Sequence, residues 1–293
     1  MRKFITFAML LFTLSSFAQE TTKQDSLWKT GIESALNFSQ VSLSNWAAGG
    51  ENSVAANGIL NLYANFKKGK KIWQNKIELA YGLQKQGELG VRKSNDKLNF
   101  STTYGQKAFK NTYLTSTLSF KSQFSDGYKY PNDSVIISSF LAPAYVLLTV
   151  NLDYKPNDFF TLGFSPFSGR VTIVADKFLS DQGAYGVDKG KKARYEFGGT
   201  VNMNFEKEIM KNVELKTNLI LFSNYIDKPQ NIDVNWEMQI NMKINKLLSA
   251  SISTNLIYDD DVKITDKNGN IGPRTQFKEV FGVGFAYKFH KYN

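Results

Sequence analysis

Apolar and polar residues alternate without interruption from Ile232 to Asn245. The polar face, from Asp233 to Asn245, has no apolar member, and the other face carries Ile232, Val234, Trp236, Met238, Ile240, Met242 and Ile244. Successive side chains of a strand point to opposite faces, so this segment predicts a strand between water and an apolar environment. A packed strand of a soluble sandwich would show at most a few polar positions on one face, so the pattern favours a membrane-facing strand.

Strand-type alternation covers most of the chain, and helical periodicity fits none of its segments. The lengths of the alternating segments are close to the ~9–11 residues that a tilted strand needs to cross a bilayer. The sequence predicts twelve strands, at about 30–43, 53–66, 71–85, 96–108, 111–124, 143–155, 158–174, 192–207, 211–225, 232–245, 248–259 and 276–289.

The last of these strands has a face that is mostly aromatic. Small or charged residues fill the alternate positions, and the large face consists of Phe277, Glu279, Phe281, Val283, Phe285, Tyr287 and Phe289. Closing strands of bacterial outer-membrane barrels have this form, although the chain ends in Asn293 and not in phenylalanine. The segment therefore predicts the strand that closes a barrel.

The connections between the predicted strands alternate in length. Tight turns lie at 67–70, 110–111, 155–157, 210–212 and 245–246, whereas longer connections lie at 86–95, 125–142, 175–191, 224–231 and 259–275. Short periplasmic turns and longer outer loops give an even-stranded barrel this order. We predict an all-β, transmembrane antiparallel barrel of twelve strands over residues 30–293, with a soluble β-sandwich as the alternative fold.

The N-terminus indicates export. Arg2 and Lys3 precede the apolar run from Phe4 to Leu14, and small residues follow it up to Ala18. This order predicts a signal peptide over residues 1–18 with cleavage near Ala18, followed by a short periplasmic segment over residues 19–29. The expected location is the outer membrane. The 293 residues contain no cysteine, so packing and hydrogen bonds must hold the exported chain.

Charged residues at inward-facing positions suggest a polar lumen. A twelve-stranded barrel is wider than the eight-stranded kind that side chains fill, and narrower than open porins. Inward charges could therefore pair and plug the lumen or line a small pore. The predicted lumen-lining residues are Lys76, Glu78, Asp153, Glu196, Lys216, Glu237 and Lys243.

The segment from Asn45 to Ser53 is the most distinctive motif of the chain. Two adjacent glycines permit positive φ, so the motif fits a tight turn beside an interfacial tryptophan or a contact with a ligand or partner. Its marker residues are Asn45, Trp46, Gly49, Gly50 and Asn52.

With these residues, the chain resembles domain-of-unknown-function family 3078 (DUF3078). That family consists of outer-membrane β-barrel proteins of Bacteroidota-type bacteria. The resemblance implies a barrel fold and an outer-membrane location. It implies no activity and brings no catalytic residues.

Candidate catalytic chemistry is sparse. His290 is the single histidine, and its place at the periplasmic rim does not suit a barrel hydrolase. Asp259, Asp260 and Asp261 offer oxygen ligands but lack the order of a calcium loop. The segment from Gly183 to Gly190 lacks the ending of a phosphate loop and is interpreted as an exposed, mobile loop. We expect no cofactor, no bound metal and no enzymatic activity.

The leading functional hypothesis is a narrow pore or solute-uptake channel with a charged lumen. The alternative is an accessory barrel, plugged by paired charges, that acts through protein contacts; an outer-membrane enzyme is the third. The expected partners are outer-membrane lipid, the barrel assembly machinery and small polar solutes, with no nucleic acid. The formal charge of +10 fits either an anion-preferring lumen or solvated turns and loops.

Overall fold

The computed structural model of the protein describes residues 27–44, 48, 50–130, 132–265 and 269–292, with the side chains of His290 and Tyr292 left out. The predicted signal peptide, as well as Asn45, Trp46 and Gly49 of the motif, therefore lies outside the described residues. None of the helices in the described part of the chain has the length and apolar character needed to cross a bilayer.

Twelve antiparallel strands form a closed barrel, as the alternation predicts. Each strand pairs with its sequence neighbours, and the last strand pairs with the first through the register of Ala35 with Ala286. The barrel strands are β1 (Trp28–Val41), β2 (Ser53–Lys68), β3 (Lys71–Gln86), β4 (Arg92–Phe109), β5 (Thr112–Ser122), β8 (Ala144–Asn157), β9 (Phe160–Ile173), β10 (Ala193–Met210), β11 (Val213–Asn224), β12 (Ile232–Lys243), β13 (Leu248–Tyr258) and β16 (Gln276–Tyr292).

The closed barrel overturns the alternative of a soluble sandwich, in which the aromatic face of the last strand would be buried. Phe277, Phe281 and Phe285 of β16 are instead 63%, 63% and 62% exposed. The other strands also carry exposed apolar residues on the outer face, including Leu36, Phe38, Leu114, Leu148, Phe164 and Tyr195. The apolar face is the outside of the molecule, as in barrels whose environment is lipid.

Tight turns connect the strands at one end of the barrel, which we call the turn end. Gly69, Asn111 and Asn212 adopt positive φ of 56°, 61° and 65° there. These values suit the two-residue hairpin turns that match the twist of the strands. The opposite end, the loop end, carries the longer connections.

A small apolar core orders two of the connections at the loop end. The first contains the hairpin β6 (Gly127–Tyr128) and β7 (Ile136–Ser138), and the second contains the helix α1 (Lys177–Gln182). Their buried residues are Ala142, Val174, Leu179 and Val187. This finding corrects the interpretation of 183–190 as an exposed loop, since residues 183–186 are half-buried and Val187 is buried, whereas only 188–190 are exposed. We call the two connections that share this core the loop cap. The strands β14 (Lys263–Thr265) and β15 (Ile271–Pro273) pair with each other outside it.

A bulge interrupts β9. The register with β10 skips the residues between Ser165 and Ser168, and the register with β8 skips those between Phe164 and Phe167. On the facing strand, a Cβ atom on Gly198 would collide with the carbonyl oxygen of Ser223, whereas a Cβ on Gly169 would meet no atom within 4 Å. The close approach of β10 to β11 therefore depends on a glycine.

We predict that Gly198→Ala destabilises the barrel, because the added methyl group forces β10 away from β11. Overpacking of this kind costs ~1–3 kcal/mol. Urea unfolding in detergent, followed by the change in gel migration on boiling, should show a lower midpoint. Gly169→Ala is the control, because its added methyl group meets no atom within 4 Å. An unchanged midpoint for Gly198→Ala would contradict the prediction and show that β11 can move away at little cost.

Candidate functional site

Charged side chains from many strands meet inside the barrel and form three groups. The strand pattern explains this arrangement, since alternate positions of each strand point into the lumen. The groups lie near the loop end, across the lumen, and near the turn end.

The second group, which we call the cross-lumen bridge, joins opposite walls. Lys97 Nζ of β4 lies 2.6 Å from Glu237 Oε2 of β12. The two strands are six places apart in the barrel order in either direction, so they face each other. Lys121 Nζ lies 2.8 Å from the other Glu237 oxygen, and Glu78 Oε2 lies 3.3 Å from Lys97 Nζ. One carboxylate thus links two lysines across the lumen.

This bridge shows that the barrel is flattened. Twelve strands about 4.8 Å apart and tilted by ~40° would give a circular barrel about 24 Å across. A lysine and a glutamate joined end to end span roughly 14 Å between Cα atoms by ordinary bond lengths. Since Lys97 and Glu237 touch, their walls lie much closer together than a circular section would allow.

The first group, the loop-end cluster, centres on Arg170 of β9. Its Nε donates to Glu196 Oε2 at 2.7 Å, and its Nη2 lies 2.6 Å from Asp233 Oδ2. The guanidinium also stacks over the Phe222 ring at 4.2 Å from the centroid. Glu196 is almost completely buried, with 1% of its side chain exposed, so this carboxylate depends on its arginine partners.

The acidic triplet after β13 joins the same cluster. Asp261 pairs with Arg194 at 2.5 Å, and Asp259 Oδ2 lies 4.0 Å from Arg170 Nη1. Burial raises the pKa of Asp259 above its usual range, although both arginines oppose this shift. Within the described part of the chain, no group of three or more histidines or acids could hold a metal ion.

The third group, the turn-end cluster, centres on Lys216 of β11. Its Nζ lies 2.9 Å from both Glu33 and Glu206. Lys288 of the closing strand completes the group through Glu33 at 2.7 Å and Glu214 at 3.3 Å. These contacts connect the first and last barrel strands to the wall formed by β10 and β11.

The structure places the predicted lumen residues in different surroundings. Glu78 and Glu237 lie in the cross-lumen bridge, with Lys76 paired to Glu78 at 2.7 Å. Glu196 and Lys216 lie in the loop-end and turn-end clusters.

Two of the predicted residues remain apart from these groups. Asp153 is buried and accepts a hydrogen bond from Thr115 at 2.9 Å. Lys243 is exposed at the end of β12, and its side chain has no ion-pair partner among the described residues.

Several central residues were not predicted, although their strands were. They occupy the same alternate positions of their strands as the predicted residues, so their side chains also point into the lumen. This alternation is the signal that could have found them. Their partners could not be predicted, because opposite walls are far apart in sequence. These residues are Glu33, Lys97, Lys121, Arg170, Asp233 and Lys288.

The family motif forms part of the loop end. Gly50 adopts a φ of +127°, and the Asn52 side chain accepts a hydrogen bond from the Leu43 backbone at 2.6 Å. The Asn52 carbonyl also accepts from Gly87 in the next loop at 2.8 Å. In the described part of the motif, these residues close the first loop and fasten it to the second.

The fold and the lumen define an outer-membrane-type β-barrel with a charge-bridged interior. The model of a family of unknown function, DUF3078, matches residues 38–128. The model of another family of unknown function, DUF481, matches residues 174–289. The resemblance inferred from the first hairpin is therefore confirmed over the DUF3078 match. No curated protein matches the chain.

Solved structures of other barrels are similar to this chain at low identity. An outer-membrane channel from Pseudomonas putida F1 is 12% identical, with a TM-score of 0.41, and the match covers 92% of this chain and 100% of that one. The translocator domain of the autotransporter NalP from Neisseria meningitidis is 9% identical, with a TM-score of 0.36, over 98% and 96% of the two chains. The β-domain of the Bordetella autotransporter BrkA is 11% identical, with a TM-score of 0.34, over 90% and 100%.

We predict that Arg170→Gln destabilises the loop end, since Glu196 and Asp233 would lose their shared cation. Removal of one partner from a buried ion pair costs about 3 kcal/mol. The unfolding midpoint in detergent should fall, and the double variant Arg170→Gln, Glu196→Gln should recover part of the loss.

Lys177→Gln provides the control, because Lys177 and Asp181 form an exposed pair. Exposed pairs contribute ~0–1 kcal/mol, so this midpoint should hardly move. Equal effects of the two substitutions would mean that the loop-end cluster does not stabilise the barrel.

Proposed function

We propose that the protein is an outer-membrane barrel that provides a narrow passage for small polar solutes and is closed at rest by the cross-lumen bridge. The observation that carries the proposal is the contact between Lys97 and Glu237 from opposite walls. The proposal includes no catalytic step and no cofactor.

The outer surface supports insertion into a membrane. Each barrel strand has both neighbours, so its backbone groups can pair without water. Exposed apolar side chains such as Phe281 and Leu148 would otherwise face solvent over a continuous band. In this orientation the turn end lies in the periplasm and the loops lie outside. The expected signal peptide and assisted insertion by the barrel assembly machinery fit the same location.

The lumen supports a passage that is closed but not permanently filled. The side chains of Lys97 and Glu237 are 30% and 23% exposed, so water reaches the bridge. Separation of such a half-buried pair costs on the order of 2 kcal/mol. Since about 1.4 kcal/mol corresponds to a tenfold change in population, the closed state would dominate while brief openings remain accessible.

The loop cap favours a second candidate, an accessory barrel that acts through protein contacts. Tyr185 ties the second connection to the first by donating to the Ile137 carbonyl at 2.5 Å. Phe140 and Phe178 remain 53% and 50% exposed on this unit. An ordered unit with exposed aromatic side chains could bind another protein even if the lumen never opens.

We expect the wild-type protein to show small, infrequent openings in a planar bilayer. Glu237→Gln and the double variant Lys97→Gln, Lys121→Gln should each raise the open probability about tenfold or more, because each removes one side of the bridge. Single-channel recording of the refolded protein is the measurement, and the ion selectivity of the two variants should shift in opposite directions.

Lys243→Gln is the matched control, since it removes the same charge from the rim and should leave the openings unchanged. If the wild type and both bridge variants are silent while correctly folded, the passage is ruled out and the accessory barrel takes its place. Large steady openings in the wild type would show that the bridge does not close the lumen.

A further inference from the structure

Lysines concentrate at the turn end, outside the clusters of the lumen. Every tight turn of the barrel contains one or borders on one. The turn between β2 and β3 contributes most of them, and the exposed members are Lys67, Lys68, Lys70, Lys71, Lys110, Lys211 and Lys246. Lys155 of the β8–β9 turn is half-buried and donates to Gln74 Oε1 at 3.1 Å, so it is not counted among them. We propose that this basic ring binds the anionic headgroups of phospholipids in the leaflet at the turn end. The inference rests on membrane insertion, as proposed above.

The turn between β2 and β3 shows that these charges are available. Lys67, Lys68, Lys70 and Lys71 are all exposed, and none has an ion-pair partner among the described residues. At the loop end, by contrast, some exposed lysines have an acidic partner. Lys177 pairs with Asp181 at 2.6 Å, and Lys228 lies 3.8 Å from Asp260. The β2–β3 turn therefore presents positive charge that no acidic side chain of the described residues neutralises.

Aromatic side chains place the ring at the height of the headgroups. Trp28, Phe66 and Trp73 form an outward-facing group beside the β2–β3 turn, with ring centroids 5.2 and 5.7 Å from that of Trp28. Aromatic residues of this kind occupy the interface of membrane barrels. Because Phe66 directly precedes Lys67, the lysines of this turn lie just beyond the apolar band.

A second contact repeats the arrangement on another wall of the barrel. Lys207 Nζ lies 4.3 Å from the centroid of the Phe159 ring, which packs edge to face against Phe205 at 5.7 Å. A lysine over an interfacial ring keeps its stem on the apolar surface and its ammonium toward the polar layer. The chemistry that fits such a position is a phosphate or phosphoglycerol headgroup, with acyl chains against the rings.

A soluble acidic protein would satisfy the charges but not the aromatic neighbours. The rings face outward at the barrel wall, where lipid and not a periplasmic partner would contact them. Anionic lipid matches both features together, since juxtamembrane basic residues attract acidic headgroups. Lipid is therefore the occupant that the geometry favours.

The test uses the full barrel in phosphatidylcholine bilayers that contain a trace of nitroxide-labelled phosphatidylglycerol or nitroxide-labelled phosphatidylcholine. Electron paramagnetic resonance gives the fraction of each labelled lipid that the protein immobilises. The wild type should prefer phosphatidylglycerol by about threefold at low salt and lose this preference at 1 M salt, where the Debye length is about 3 Å. The variant with Lys67, Lys68, Lys70 and Lys71 all changed to Gln should lose most of it.

The matched control removes four exposed loop-end lysines, Lys177, Lys189, Lys191 and Lys192, and should retain the preference. Equal preference in both quadruple variants, or none in the wild type, would overturn the basic ring as a lipid site and favour a soluble acidic partner. Failure of membrane insertion is distinguishable, because the protein would then immobilise neither labelled lipid.

Discussion

Closure of the hydrogen-bonded sheet is the constraint on which the rest of the structure depends. A strand surrounded by an apolar environment cannot leave its backbone amides and carbonyls unpaired, since each such group costs several kcal/mol. The pairing of β1 with β16 removes the last two sheet edges. It also fixes the register of the first and last strands, which places Glu33 of β1 beside Lys288 of β16 at 2.7 Å. The exposed aromatic face of β16 follows from this closure. A closed barrel has no second sheet to cover its outer face, so the aromatic side chains lie on the outside.

Closure creates a second requirement inside the lumen. Inward-facing lysines, arginines and acids share a space with limited water, so each charge needs a partner. The barrel meets this requirement with ion pairs between strands, and the cross-lumen bridge brings two opposite walls together. The same feature that stabilises the interior thus narrows it. In the proposed passage, stability and opening would be coupled, since any opening wider than the bridge must separate Glu237 from both Lys97 and Lys121.

The two ends of the barrel differ in their chemistry. Near the loop end, Arg170 and Arg194 pair with acidic side chains, and the loop cap buries a small apolar core with Leu179 and Val187 inside. The turn end leaves the lysines of the β2–β3 turn exposed beside aromatic rings, and its tight turns have no room for a core. This difference suits an asymmetric membrane, in which one end meets lipid headgroups and the other meets external molecules.

The sequence by itself determined the fold class and most of the strand boundaries. Alternation over 232–245 requires one polar and one apolar face, and the same period repeated twelve times with alternating turns and loops leaves few other architectures. The aromatic face of β16 followed from the same local reasoning. Parity also marks Glu237 and Lys216 as inward-facing, because side-chain direction is a local property of a strand.

Only the tertiary structure decided which charges meet. Lys97 and Glu237 are 140 residues apart, and their contact depends on the strand order, the stagger between strands and the flattened section. The ordered loop cap has the same origin, since Leu179 and Ala142 come from separate connections. Lys243 shows the limit of parity most clearly. It lies on a predicted inward position, but the strand ends there, so the side chain reaches the rim and not the paired interior.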